Sequence, residues 1–205
     1  MSSIYGEYQA YLPQIMETLT DGIKVANKKQ KEETGFKLYE HLLARVKKPE
    51  SMIEKCQRKG LPATPYSALK GIRDSIGIRV VCGFVDDIYK TVNVLKNLPG
   101  VRVVTEKDYI ARAKPNGYRS YHLILELTTD FPDVDGNARG NYFAEVQLRT
   151  IAQDSWASLE HQMKYKHDIK NPELITRELK RCADELASCD LNMQTIRNLI
   201  MEGGD

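Results

Sequence analysis

The chain has 205 residues, 41% hydrophobic and 28% charged, enough for one globular domain with its own core. Thirty Lys and Arg against 28 Asp and Glu leave a formal charge of +2, which argues against a protein held to duplex nucleic acid mainly by charge. No apolar run approaches the roughly 18 residues of a membrane span. The opening MSSIYGEYQAYLPQ lacks a signal-peptide pattern, so no membrane partner and a cytoplasmic location are expected. Cys56, Cys82, Cys182 and Cys189 form no C-x-x-C pair and have no histidine at ligand spacing; they read as small core residues, not as a disulfide framework or a zinc site.

In chain order, the first 30 residues read as a helix. Leu12, Ile15, Leu19, Ile23 and Ala26 recur at three- and four-residue steps, with Pro13 in the first turn. The charged stretch KKQKEETG is either a loop or a solvated helix end. A second helix is predicted over 50–59, stopped by Gly60, with LPATP as the turn beyond. From Ile76 the period becomes two: IGIRVVCGF puts Ile78, Val80, Cys82 and Phe84 on one face and Arg79 and Val81 on the other. VDDIYKTVNVLKNL is a helix closed by Pro99-Gly100, and VRVVTEKDYI is a strand. ARAKPNGYRS is a turn-rich loop, and YHLILEL is a strand with Leu123, Leu125 and Leu127 opposite His122 and Glu126. Residues 129–140 carry the turn residues of a hairpin connection, and NYFAEVQLRT is the fourth strand. Helices are predicted over 151–166 and, from the start signal Asn171-Pro172, to the C-terminus. On the last helix Ile175, Leu179, Cys182, Leu186, Cys189, Met193, Ile196 and Ile200 form a heptad seam that must bury itself against another helix, in the chain or in a partner. The uneven alternation of strands and helices is α+β: a mixed sheet covered by helices, with a long C-terminal helix.

Several polar residues suggest chemistry. The fourth strand turns Glu145, Gln147 and Arg149 to the face opposite Ala144, Val146 and Leu148. That face is either simply solvated or part of a site, and Arg79 and His122 lie on the polar faces of their own strands. Asp74, just before a strand, is either a turn residue or one of two carboxylates for a Mg²⁺ ion, which favours one or two protein carboxylates plus substrate phosphates. Lys107, Arg112, Lys114 and Arg119 surround the tight Asn116-Gly117 turn, and Tyr118 offers a ring for stacking. Arg45, Lys47, Lys48, Lys55, Arg58 and Lys59 make a basic cluster around the second helix.

Four segments, ARVKKPESMIEKCQRKG, DSIGIRVVCGFVDDIY, KDYIARAKPNGYRSYHL and AEVQLRTIAQDSWASLEHQMKYK, together resemble the signature blocks of the Rel/Spo-type alarmone synthetase domain, in order and spacing, over about residues 44–167. The resemblance implies a mixed sheet of about five strands in a nucleotidyltransferase-like domain. It implies a (p)ppGpp synthetase that transfers pyrophosphate from ATP to the ribose 3′-hydroxyl of GDP or GTP. Asp74 and Glu145 match the family's metal carboxylates, with Mg²⁺ as cofactor and Glu145 as general base. Arg45 and Arg79 match the pair that sandwiches adenine, with Lys47, Lys48, Lys55 and Arg58 as further ATP contacts. Tyr118 matches the tyrosine that stacks on guanine, with Lys114, Asn116, His122, Lys107 and Gln147 around it. The sequence departs from the pattern at Ala113-Lys114, where the family has Pro-Lys. The chain is most similar in plan to the small stand-alone synthetases, so a homo-oligomer, a tetramer, is expected. Residues 1–43 would then form an N-terminal helical segment and 168–205 an oligomerisation helix. A nucleotidyltransferase lacks its Gly-Ser turn and paired aspartates here; a catalytically inactive nucleotide- or RNA-binding module is the remaining alternative.

Overall fold

The computed structural model describes residues 3–165 and 171–203. Five strands form one mixed sheet in the order β1-β2-β5-β4-β3. They are β1 (His41–Val46), β2 (Ile76–Cys82), β3 (Val101–Asp108), β4 (Tyr121–Thr128) and β5 (Asn141–Thr150). β2 and β5 run parallel and every other neighbouring pair is antiparallel. The helices are α1 (Leu12–Thr34), α2 (Pro49–Arg58), α3 (Val85–Lys96), α4 (Ile151–Tyr165) and α5 (Pro172–Glu202). Among the described residues no helix is long and apolar enough to cross a membrane.

Alternation decides which face is covered. Ile76, Ile78, Val80 and Cys82 of β2, Leu123, Leu125 and Leu127 of β4, and Ala144, Val146 and Leu148 of β5 are all buried in the main core. Leu12, Ile15, Leu19 and Ile23 of α1 and Ile88, Val92 and Leu95 of α3 pack into that core, as do Met52 and Cys56 of α2. Each such side chain withdrawn from water contributes about 1.5–3 kcal/mol, so this face sets the stability of the sheet. The opposite face is roofed only in part. Val81 and Arg149 pair in register at one end of it, and both are buried. α4 packs on β5 and β2, and α5 packs on α4.

KKQKEET is a solvated helix end: α1 continues through Thr34, with Lys28–Glu32 and Lys29–Glu33 pairs at 3.8 Å, and Gly35 closes it at φ 77°. The predicted second helix is α2, and Gly60 follows it at φ 66°. Asn171 caps α5, accepting a 3.1 Å hydrogen bond from the Leu174 N–H. The position 166, predicted to end the preceding helix, lies outside the described residues, as does the boundary at 167–168. The fifth strand, β1, comes from a stretch with no assigned element. It is an edge strand whose Leu42 and Val46 lean on the core while His41, Leu43 and Arg45 are exposed, so its apolar period is weak. Phe84 is not a strand residue, because β2 stops at Cys82 and Phe84 precedes α3.

Two cysteines depart from expectation. Cys56 and Cys82 are buried, but Cys182 and Cys189 are exposed. The reason is the orientation of α5. Its inward face is Leu179, Ala183, Asp190, Gln194 and Arg197, while Met193, Ile196 and Ile200 of the heptad seam face out. Only Leu179 and Leu186 of the seam pack inside the chain, with Trp156, Ala157 and Ala183.

The approach to β2 is pinned from afar. A π-helical turn, Ser67–Gly71, leads into Asp74, and its Lys70 reaches Asp133 at 2.8 Å and Asp135 at 2.7 Å in the β4–β5 connection. Asp133 is fully buried and also accepts the backbone N–H groups of Asp135, Asn137 and Asn141. Burial would raise its carboxyl, but the Lys70 ammonium and these N–H groups hold it far below the usual carboxylate range. The carboxyl loses protons more readily folded than unfolded. Its contribution is therefore complete above the unfolded value of about 3.9 and lost as pH falls below it. Asp133→Ala would leave Lys70 with Asp135 alone and strip several N–H groups of their acceptor, and should lower unfolding free energy by about 1–3 kcal/mol at neutral pH. Urea denaturation of the two proteins at pH 7 and pH 3 checks this: the difference between them should shrink at the lower pH.

Candidate active site

The roofless part of the sheet carries one cleft, lined by Leu43, Ala44, Arg45, Lys47, Asp74, Gly77, Ile78, Arg79, Glu145 and Gln147, with a volume of about 320 Å³. Two register rows cross its floor. The first runs Arg45, Gly77, Glu145 over β1, β2 and β5 and on to Ile124 of β4. The second runs Leu43, Arg79, Gln147, His122 and Lys107 across all five strands. Residues directly opposite one another point to the same side of a sheet, so both rows present their side chains together. Gly77 places no side chain between Arg45 and Glu145, which leaves the floor low at the centre of the first row.

Asp74 enters from the loop before β2. One of its oxygens, Oδ2, takes the Lys47 ammonium at 2.5 Å and also the Lys55 ammonium. Burial would raise this carboxyl, but the two ammonium groups outweigh it and hold the carboxyl below its usual range. Burial also draws Lys47 below its ordinary value in spite of Asp74. The other oxygen, Oδ1, is buried and accepts no hydrogen bond from a described residue. A buried carboxylate oxygen without a donor costs free energy unless a cation meets it. Among the described residues no group of three or more His, Cys, Asp and Glu could hold a metal. The available donor set is thus Asp74 and Glu145, whose charges already influence each other. Two carboxylates and no nitrogen or sulfur fit a hard ion such as Mg²⁺, which fills its octahedron with phosphate and water oxygens. The residues present therefore fit that ion.

Glu145 is the junction between two halves. Its Oε1 lies 3.6 Å from His122 Nδ1, and its Oε2 accepts from Gln147 Nε2 at 3.3 Å. His122 holds the carboxyl below its usual range, against burial and the nearby charge of Asp74. His122 Nε2 meets the Tyr118 hydroxyl at 2.8 Å. Tyr118 is bordered by Tyr109 and Trp156, and the Lys114 ammonium stands 4.8 Å from its ring centre. Asn116 Oδ1 accepts the Tyr118 N–H at 3.2 Å and its amide reaches Glu160.

The structure thus gathers Arg45, Lys47, Lys55, Asp74, Arg79, Glu145 and Gln147 at the cleft, and His122, Tyr118, Lys114 and Asn116 beside it. Lys107 is exposed at the end of the second row. Lys48, just before α2, and Arg58, at its end, are exposed and outside the residues that line the cleft. One residue escapes sequence reasoning, Asp154, and another, Arg149, is placed by the sequence on the polar face of its strand without a role. Arg149 is buried and donates to Tyr118, Gln147, Ser120 and Asp154. Asp154, in the first turn of α4, takes Arg149 at 3.0 Å and Arg79 at 3.3 Å. Only the burial of Arg149 creates the demand for Asp154, and burial is not visible in a run of letters.

The loop that presents Tyr118 depends on Gly117. Its φ is +89°, and a Cβ there would meet Ala183 Cβ of α5 at 2.5 Å. Gly117→Ala should therefore cost about 1–3 kcal/mol and push α5 away from Tyr118. A lowered melting temperature with altered Trp156 fluorescence is the expected result; unchanged values of both would contradict this packing.

The chain matches the model of the family described as "Region found in RelA / SpoT proteins" over residues 44–170. It is 43% identical over 164 residues to the GTP pyrophosphokinase YwaC of Bacillus subtilis (strain 168), covering 80% of this chain and 76% of that protein. Its fold is similar to that of a GTP pyrophosphokinase family protein from Streptococcus pneumoniae, with a TM-score of 0.80 at 32% identity over 96% of this chain and 94% of that one. It is also similar to the small alarmone synthetase 1 from Bacillus subtilis bound to its product pppGpp, with a TM-score of 0.77 at 32% identity over 91% of this chain and 93% of that one.

Proposed function

The chain belongs to the RelA/SpoT family, and from that premise we propose how its cleft carries out the family's chemistry, residue by residue. The protein is a GTP pyrophosphokinase, a (p)ppGpp synthetase that moves pyrophosphate from ATP to the ribose 3′-hydroxyl of GDP or GTP. The 3′-oxygen attacks the β-phosphorus, the bond between the α- and β-phosphates breaks, and AMP leaves. One observation carries the assignment of roles. Glu145 stands between the Arg45–Arg79 side of the cleft and the His122–Tyr118 side, with Asp74 beside it.

ATP lies on the first side, its adenine between the guanidinium planes of Arg45 and Arg79. Planar cations suit this task because they stack on a base while remaining charged. Lys47 and Lys55, which grip Asp74, face the phosphates; Lys48 and Arg58 add charge at the rim. The acceptor lies on the second side, its guanine on Tyr118, with Lys114, Asn116, His122, Gln147 and Lys107 around the base and sugar. Glu145 takes the proton of the 3′-hydroxyl, and the adjacent His122 keeps that carboxylate ionised and aimed. Asp74 and Glu145 would hold Mg²⁺, which supplies charge neutralisation on the phosphates and makes the hydroxyl more acidic. Alignment and charge balance supply most of what such a transfer needs.

The enzyme is read as a cytoplasmic one, since ATP and guanine nucleotides are its substrates. Residues 44–167 are the catalytic core; the segment 1–43 before it carries α1 and runs into the first residues of β1, and α5, within 168–205, is an oligomerisation helix. The outward Cys182, Met193, Ile196 and Ile200 support a homo-oligomer, a tetramer, because such an apolar stripe is unfavourable in water. Leu186 belongs to the inner cluster, so Met193 and Ile196 are the informative pair. Changing both to Glu should yield smaller species in light scattering, and an unchanged mass would remove the stripe from the interface.

Glu145→Gln and Asp74→Asn test the site. Each keeps shape and removes one negative charge. Loss of a general base is typically worth about 10²–10⁴-fold, so turnover should fall by at least about a hundredfold at saturating Mg²⁺, ATP and GDP with a near-normal melting curve. A carboxylate on a merely solvated strand face would leave turnover within a few-fold of wild type, and that outcome would overturn the assignment.

A further inference from the structure

We propose that Asp154 is a positioning residue that ties the two base-stacking platforms together, so that filling one nucleotide subsite strengthens the other. This rests on the reading above in which Arg79 takes adenine and Tyr118 takes guanine. The observation is that a single carboxylate oxygen serves both sides. Asp154 Oδ1 accepts a hydrogen bond from Arg149 Nη1 at 3.0 Å and forms an ion pair with Arg79, whose Nη1 lies 3.3 Å away. The other terminal nitrogen of Arg149 donates to the Tyr118 hydroxyl at 2.7 Å and to Gln147 at 3.1 Å. From Tyr118 the connection continues through His122 to Glu145.

These links join β2, α4, β5 and the loop before β4, so no single element could move alone and leave them intact. A plain structural pair would not need this form. Arg149 is buried and requires one carboxylate, which Asp154 supplies in full. Arg79 is then a second guanidinium on an oxygen already engaged, and the surplus positive charge falls on it. Its side chain is 40% exposed against 6% for Arg149, so the surplus faces the cleft. A half-exposed arginine can turn many ways, and stacking requires its plane to be fixed. The shared oxygen gives Arg79 a fixed negative charge that holds its guanidinium on this side of the cleft.

The consequence is reciprocal. When adenine orders Arg79, Asp154 is ordered with it, and less freedom remains to be lost at Arg149 and Tyr118 when guanine arrives. Guanine bound first prepares Arg79 by the same route. Linkage requires the two effects to be equal. Two substrates must meet in one complex before transfer, so the device favours the ternary complex over either binary one.

Calorimetric titration of the whole protein tests this. The probes are the α,β-methylene analogue of ATP, whose α–β bridge cannot be cleaved, and GDP, each alone and with the other saturating. In the wild type each should tighten the other by the same factor, about fivefold or more. Asp154→Asn should weaken both nucleotides and bring that factor to about one. Arg149→Lys keeps a positive charge but loses the fork; it should weaken GDP, leave the ATP analogue within about twofold, and also abolish the coupling. If the Asp154→Asn protein melts abnormally, the Arg149→Lys protein decides. Coupling that survives in either well-folded variant, or that is absent from the wild type, overturns the proposal. Failure of the wild type to release AMP from ATP and GDP would overturn the functional reading itself, and turnover reports that independently of the titrations.

Discussion

The parallel pairing of β2 with β5 is the constraint on which the rest of the site depends. The two strands are separated in sequence by the whole of α3, β3 and β4, yet their register sets Gly77 against Glu145 and Arg79 against Gln147. A slip of one residue would turn Glu145 and Gln147 into the core and Val146 into water. The core itself forbids that slip, because Ile76, Ile78, Val80, Ala144, Val146 and Leu148 are all buried on the other side. Hydrophobic packing on one face thereby fixes the chemistry on the other. Parallel strands need a long connection, and this one carries β4 in as the antiparallel neighbour that delivers His122 to Glu145.

Charge on the open face is balanced locally. Asp74 is met by two ammonium groups, Glu145 by His122, and Arg149 by Asp154. Isolated buried charges would be too costly to keep, and these partners hold the Asp74 and Glu145 carboxyls below their usual range. The unmatched features are Asp74 Oδ1, which accepts nothing from a described residue, and Arg79, half exposed beside an occupied carboxylate. Both unmatched groups sit at the cleft, where ionic substrates would complete them. The fold stores part of its polar demand at the site and satisfies it only in the complex.

α5 inverts the usual pattern of a surface helix. Its inward end is polar: Arg197 pairs with Asp87 at 2.7 Å and lies over the Phe84 ring, and Asp190 accepts from Thr150 at 2.7 Å. Burial raises the Asp190 carboxyl above its ordinary range. Directional bonds of this kind fix the rotation of the helix in a way that apolar contacts alone do not. With that rotation set, Met193, Ile196 and Ile200 must face outward, and the inner Leu179 and Ala183 seat the helix against Trp156 and the Gly117 turn.

The sequence by itself determined the fold class, four of the strands and the presence of the long helices, with the Gly60 stop and the Asn171 start, because periodicity, glycine stops and an Asn cap are local signals; the exact ends of α1 and α3 were set by packing. The four family blocks likewise nominated Asp74, Glu145, Arg79, Tyr118 and His122, and the structure brings these into one connected region. β1 escaped because its period is broken at the edge of the sheet: only Leu42 and Val46 lean on the core, Ala44 between them is exposed, and the outward Leu43 is itself apolar. The outward turn of the heptad seam escaped because a period of apolar residues says that a face must be covered, not by whom. Cys182 and Cys189 followed the seam outward for the same reason. The link from Arg79 through Asp154 and Arg149 to Tyr118 was decided by tertiary structure alone. It joins residues from four elements, and the need for it arises only once Arg149 is taken out of water.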